Sequence, residues 1–200
     1  MEKVKIIIKA IALLLIAAAT LNLASCSGNN EGYSKEMQVK IDSMQGILKN
    51  IADGNAVMAK NLATFDTLDF TVFSNQDWVR LHESHSKDIV VDWPDGHHTN
   101  GIEKHIEDLK AMFVYAPDTR IKQHPIRIGS GTGEWTCVMG VMEGTFSKPM
   151  PLGNGKFAQP TNKSFKLPMC TIGHWKDGVM VEEWLFWDNM TYMNQIGMGK

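Results

Sequence analysis

Apolar residues recur at every third or fourth position early in the chain. Met37, Ile41, Met44, Leu48 and Ile51 alternate with Lys, Asp, Gln and Asn, the pattern of an amphipathic helix. Gly54 is placed to end that helix. Met58, Leu62 and Phe65 suit a second helical stretch. Trp78, Leu81, His82 and His85 share one face of another, opened by Ser74 with Asp77 three residues on. Residues 89–93 read as a short strand closed by the turn Pro94-Asp95-Gly96. Ile102, Ile106, Leu109 and Phe113 predict a helix that stops before Pro117. Beyond it the period changes. Residues 120–128, 134–146, 164–175 and 179–187 are rich in β-branched and aromatic residues and read as four long strands. Gly131-Thr132-Gly133 and Lys176-Asp177-Gly178 are hairpin connections, and residues 147–163, with three prolines and two glycines, form a long loop. A last short helix starts after Asp188 and ends near Gly197. Helices followed by antiparallel strands predict an α+β domain with one curved sheet wrapped against the helices.

The first 25 residues follow a different logic. Lys3, Lys5 and Lys9 face a single Glu2, an apolar run fills residues 11–19, and the segment closes on Leu23-Ala24-Ser25-Cys26. A basic start, a short apolar stretch and small residues describe a secretory signal, and the apolar stretch is short for a spanning helix. Its ending resembles the bacterial lipoprotein box, which implies acylation of Cys26 and a protein anchored by lipid in the cell envelope, periplasmic or surface-facing. Ser27, not an aspartate, follows Cys26, which disfavours retention at an inner membrane. The expected division is therefore 1–25 signal peptide, 26–54 lipidated tether and amphipathic helix, and 55–200 folded domain. The helix in the middle segment would act as a spacer, a dimerising stripe or a lid.

Composition narrows the function classes. Loss of residues 1–25 moves the net charge from −2 to −4, which argues against nucleic acid as a partner. Cys137 and Cys170 remain after Cys26. Export permits a disulfide between them, but their apolar strand surroundings favour buried free thiols.

Trp78, the strand start Asp88-Ile89-Val90-Val91, Gly101 before the helix, and residues 178–184 (GVMVEEW) fall in a recognisable order. Trp187-Asp188-Asn189-Met190 and Gln195-Ile196-Gly197 complete it. Over about residues 56–197 the chain resembles the SnoaL-like polyketide cyclases of the nuclear-transport-factor-2-like superfamily. The resemblance implies a cone-shaped α+β barrel of mostly antiparallel sheet wrapped around N-terminal helices, a pocket for a small apolar ligand, no cofactor, and a homodimer through the open sheet face. Cyclases of the family use an acidic residue near the end of the last strand as general acid/base, and Asp188 has that position. A histidine fourteen residues earlier accompanies it there, and His174 has that spacing. Where those enzymes tend to carry a polar pocket side chain, this sequence has Ile172.

The chemistry of such a pair is direct. A carboxylate among Trp184, Phe186 and Trp187 loses solvation and becomes a better base near neutrality, while His174 donates to a developing oxyanion. Asp188 is equally suited to cap the last helix, and His174 to being a satisfied strand histidine. Trp78, His82, His105, Ile172, Trp184 and Phe186 are the expected pocket lining. His82 and His85, with His97, His98, Asp92 and Asp95, raise a metal reading. The apolar face shared with Trp78 and Leu81 favours pocket or core histidines instead, and no metal is expected. Two functions follow: proton transfer on an apolar carbonyl compound, of cyclase or isomerase type, or a non-catalytic ligand-binding or protein-interaction role on the same fold. An exported location counts against polyketide ring closure, whose intermediates arise in the cytoplasm.

Overall fold

The computed structural model describes residues 30–199, with side chains from residue 34. Cys26 and the signal segment lie outside the described residues. The chain divides between Ile47 and Leu48, and the fold is that of the part from Leu48 onward. A helix, α1 (Asn30–Thr67), leads into it. No described helix is long and apolar enough to cross a membrane.

Gly54 does not end α1 as its sequence position suggests. It is a buried residue in mid-helix, and a Cβ there would lie 1.9 Å from the Gly131 carbonyl oxygen. The glycine is required by close approach of a hairpin turn, and the side-chain amide of Asn61 fastens that turn by donating to the Gly133 carbonyl at 2.9 Å. Met37, Met44, Leu48 and Ile51 are exposed.

At its end α1 widens into a π-turn, Leu68–Phe73, and a 3₁₀ turn, Trp78–Glu83, follows. The face shared by Phe65, Leu68, Val72 and Phe73 is buried. The sequence pattern extends a helix to His85; instead His85 opens a strand, β1 (His85–Asp92). There follow β2 (His98–Asn100), α2 (Ile102–Tyr115), β3 (Arg120–Ile121) and β4 (Ile126–Gly129). The single strand expected over 120–128 is thus broken. Pro125 has no N–H for a ladder, and His124 turns to the carboxylates of α1 and its π-turn.

Three long strands make the body: β5 (Trp135–Thr145), β8 (Ser164–Lys176) and β9 (Val179–Trp187). The loop between β5 and β8 contains a small hairpin, β6 (Met150–Gly153) with β7 (Lys156–Ala158). Its turn residues Asn154 and Gly155 both have positive φ, at 51° and 69°, as a type I′ hairpin turn requires. The last helix is α3 (Asn189–Gln195). The main sheet runs β2-β1-β9-β8-β5-β3, with β4 also on β5. Only the β1–β9 pairing is parallel. The sheet is curved and open, an α+β cone with helices on its inner side. Along β8 the buried set is Phe165, Leu167, Met169, Thr171, Gly173 and Trp175, with Cys170, Ile172 and His174 on the outer face. Trp175, Phe65, Met142, Ile89 and Leu81 form the centre of the core.

Candidate functional site

The inner side of the sheet holds a cavity lined by Leu68, Phe73, Trp93, Leu109, Met112, Met142, Met169, Leu185 and Trp187. Its free space is about 40 Å³, room for two or three waters. Into these apolar walls project Asp69, His85, His105, Thr171 and Glu183. Each of those five is at least nine-tenths buried, so their presence needs a reason.

Asp69 reaches the cavity from the π-turn, a distortion that often marks functional sites. His124, its side chain only 1% exposed, stands between two acids: its Nε2 is 2.8 Å from Asp69 Oδ2 and its Nδ1 2.8 Å from Asp66 Oδ1. Arg127 also pairs with Asp66. Burial pushes the Asp69 carboxyl above its ordinary value, and the pull of His124 only partly offsets this. Burial also acts against the His124 imidazolium, but Asp69 and Asp66 outweigh it and raise its pKa.

On the other wall, His85 from β1, His105 from α2 and Glu183 from β9 converge. Glu183 Oε2 is 3.5 Å from His85 Nε2 and 3.4 Å from His105 Nε2. His85 Nε2, His105 Nδ1 and Glu183 Oε2 have no hydrogen-bond partner. Burial drives His105 down to about 4, so that ring is neutral at physiological pH. Burial also raises the Glu183 carboxyl, yet the two imidazoles more than compensate and hold it below the ordinary range. Ser84 Oγ lies 3.1 Å from the Leu81 carbonyl and 2.9 Å from His85 Nδ1. His85 Nε2 faces the carboxylate.

Of the expected pocket residues, only His105 lines this cavity. Asp188 is the N-cap of α3, accepting from the backbone N–H groups of Met190 and Thr191 and from the Thr191 hydroxyl. Those hydrogen bonds, the Thr191 hydroxyl first, hold its carboxyl below the usual range, and it is exposed. The helix-capping role suggested by its position is the one its side chain fills. His174 lies on the outer face, 2.9 Å from Glu182 and stacked on Trp135 at 4.3 Å between ring centroids. Trp184 stacks on Trp135 from the same face, Ile172 shares that face and Phe186 is half exposed there. Strand alternation separates all of these from the cavity. Trp78 packs edge-on against Phe73 and Phe113, and His82 is exposed with its Nδ1 on the Val79 carbonyl. Cys137 and Cys170 are free thiols 3.4 Å apart. Burial, then the contact with Cys137, raises the Cys170 thiol to about 11.

Asp69, Glu183 and His124 were missed as site residues. Asp69 had a legible signal, an acid on the same helical face as Phe65, Val72 and Phe73. Glu183 had none, because both alternating sets of β9 are apolar. His124 lies in a loop and acts through Asp69, 55 residues away in sequence.

An open cone of sheet over helices, with an apolar interior that gathers two acids and two imidazoles, defines a pocketed α+β protein. The chain belongs to the SnoaL-like polyketide cyclase family, whose model matches residues 65–196. Among solved structures it is similar to wild-type IdmH of Streptomyces antibioticus, named as a proposed polyketide cyclase. That match has 23% identity and a TM-score of 0.58, covering 68% of this chain and 98% of that one. A SnoaL-like polyketide cyclase candidate from Jannaschia sp. CCS1 gives 20% identity and a TM-score of 0.60, covering 71% and 94%. One from Xanthomonas campestris pv. campestris gives 13% identity and a TM-score of 0.60, covering 70% and 98%. At such identities these likenesses establish the fold. No curated protein matches the chain.

Proposed function

We propose that this protein binds a small, largely apolar carbonyl compound in the cone and moves a proton on the carbon beside its carbonyl, as cyclases and isomerases do. The observation that carries this reading is the convergence of Asp69 and His105 on one cavity, beside His85, Thr171 and Glu183, whose other walls are apolar. Asp69 is the base: burial makes its carboxylate more basic than one in water, and His124 orients it. His105 is the partner for the carbonyl oxygen, since its unpartnered Nδ1 supplies an N–H where negative charge develops. Met112, Met142 and Met169 line a space with room for only two or three waters. Their flexible thioethers swing aside to admit the ligand.

The test needs no natural substrate. In D2O, the protein is expected to accelerate deuterium incorporation beside the carbonyl of small ketones such as cyclopentanone and cyclohexanone, followed by NMR. Saturable binding of these ketones without any exchange would replace this reading with the non-catalytic ligand-binding one.

The proposal includes export and anchoring through Cys26, supported by Leu23-Ala24-Ser25-Cys26 behind a basic, apolar leader. Labelled palmitate fed to expressing bacteria is expected to enter the wild-type chain and not Cys26→Ala. Equal labelling of the two would remove the anchor from the account.

A further inference from the structure

The cavity wall opposite Asp69 has a second capability. We propose that His85 Nε2, His105 Nε2 and Glu183 Oε2 form a three-ligand site for a divalent transition cation of the zinc class. The assignment stands on the geometry of the trio and not on the carbonyl chemistry above.

The three ligand atoms lie within 4.8 Å of one another, and all three residues are buried. Two of the separations, 3.4 and 3.5 Å from Glu183 Oε2, are long for hydrogen bonds. They suit the edge of a coordination tetrahedron, about 3.3 Å when metal–ligand bonds are about 2.0–2.1 Å. Chemistry agrees with distance. A His85 that keeps its proton on Nδ1, beside Ser84 Oγ, presents a lone pair at Nε2. A His105 that keeps its proton on Nδ1 presents the same at Nε2. The facing carboxylate oxygen has no donor of its own. A cation between these three atoms would satisfy all of them at once in an otherwise apolar wall. Two neutral imidazoles and a carboxylate are a donor set suited to zinc or iron(II), with a further position left open. The free space of about 40 Å³ in the adjoining cavity accommodates a water at that position. Ser84 holds the His85 ring as outer partners of metal-bound imidazoles do.

The other histidines form no such trio. His97 pairs with Asp95 at 2.6 Å, His98 pairs with Asp92, and all four are at the surface or half-buried. Among the described residues, one group of three or more potential ligands converges, and it is the buried one.

Cobalt(II) reports on this directly, because its visible d–d absorption distinguishes four-coordinate from aqueous ion. The chelator-treated full chain is titrated with Co2+, then with Zn2+ as competitor. One equivalent of Co2+ with an intense tetrahedral-type spectrum, displaced by Zn2+, is expected. His85→Gln, His105→Gln and Glu183→Gln are each expected to weaken binding at least tenfold, with circular dichroism confirming the fold. His97→Ala and His98→Ala are expected to bind as wild type, and so is Asp69→Asn, which separates this result from the proton-transfer reading. Absence of stoichiometric binding would overturn the site. So would binding that survives the three cavity substitutions and is lost with His97 or His98.

Discussion

Asp69→Asn lowers ketone deuterium exchange by about 10²–10⁴-fold, the usual contribution of a positioned general base. Asparagine keeps the shape of the side chain and can still meet His124, so the cavity wall is expected to persist. What disappears is the basic oxygen. NMR exchange rates for wild type and variant, at matched far-ultraviolet dichroism, check the expectation. A rate within threefold of wild type would show that another group takes the proton. Exchange needs the carboxylate form of Asp69, so it falls as pH drops through a pKa above the ordinary 3.8.

Trp175→Ala has the largest expected effect on stability. The indole is 2% exposed, meets Phe65 edge-on at 6.4 Å, and donates from Nε1 to Thr136 Oγ1 at 2.8 Å. Its removal opens a cavity between α1 and the sheet and leaves the buried Thr136 hydroxyl without its donor. Substitutions of this kind cost about 3–5 kcal/mol, a large share of the roughly 5–15 kcal/mol that holds a domain folded. The melting temperature is expected to fall by on the order of 10 °C. Trp135→Ala is the comparison. That indole is 40% exposed on the outer face, and its loss is expected to cost less than half as much in urea denaturation. Equal costs would mean that Trp175 is not the centre of the core.

The element order was legible because each segment's period was clean. The 3.6-residue spacing of Ile102, Ile106, Leu109 and Phe113 gave α2, and β9 was read with the limits it has in the structure, Val179–Trp187. Failures came where tertiary contact overrode local signals. Gly54 has the appearance of a helix end, but it is a glycine because Gly131 lies against it. His85 continues a helical spacing, but its backbone pairs with β9 opposite Met180.

The site was less legible, and β8 shows why. His174 shares parity with Lys166 and Ser164, so the strand's own alternation already placed it on the outer face. The family resemblance pointed to the same residue by spacing from Asp188. Spacing says nothing about which side of the sheet a residue faces. Glu183 could not be distinguished from Glu182, since the two adjacent acids face opposite sides of one strand. The trio of His85, His105 and Glu183 is assembled from three elements whose neighbourhood only the fold supplies.

The proposed chemistry lies at Asp69 inside the cavity, not at Asp188 and His174. It is tested most directly by the ketone exchange rate of the double variant Asp188→Asn/His174→Gln beside that of Asp69→Asn. Asparagine still caps a helix, so α3 is expected to hold. The account predicts exchange at the wild-type rate in the double variant and its loss in Asp69→Asn. Loss in a folded double variant, with exchange preserved in Asp69→Asn, would contradict it.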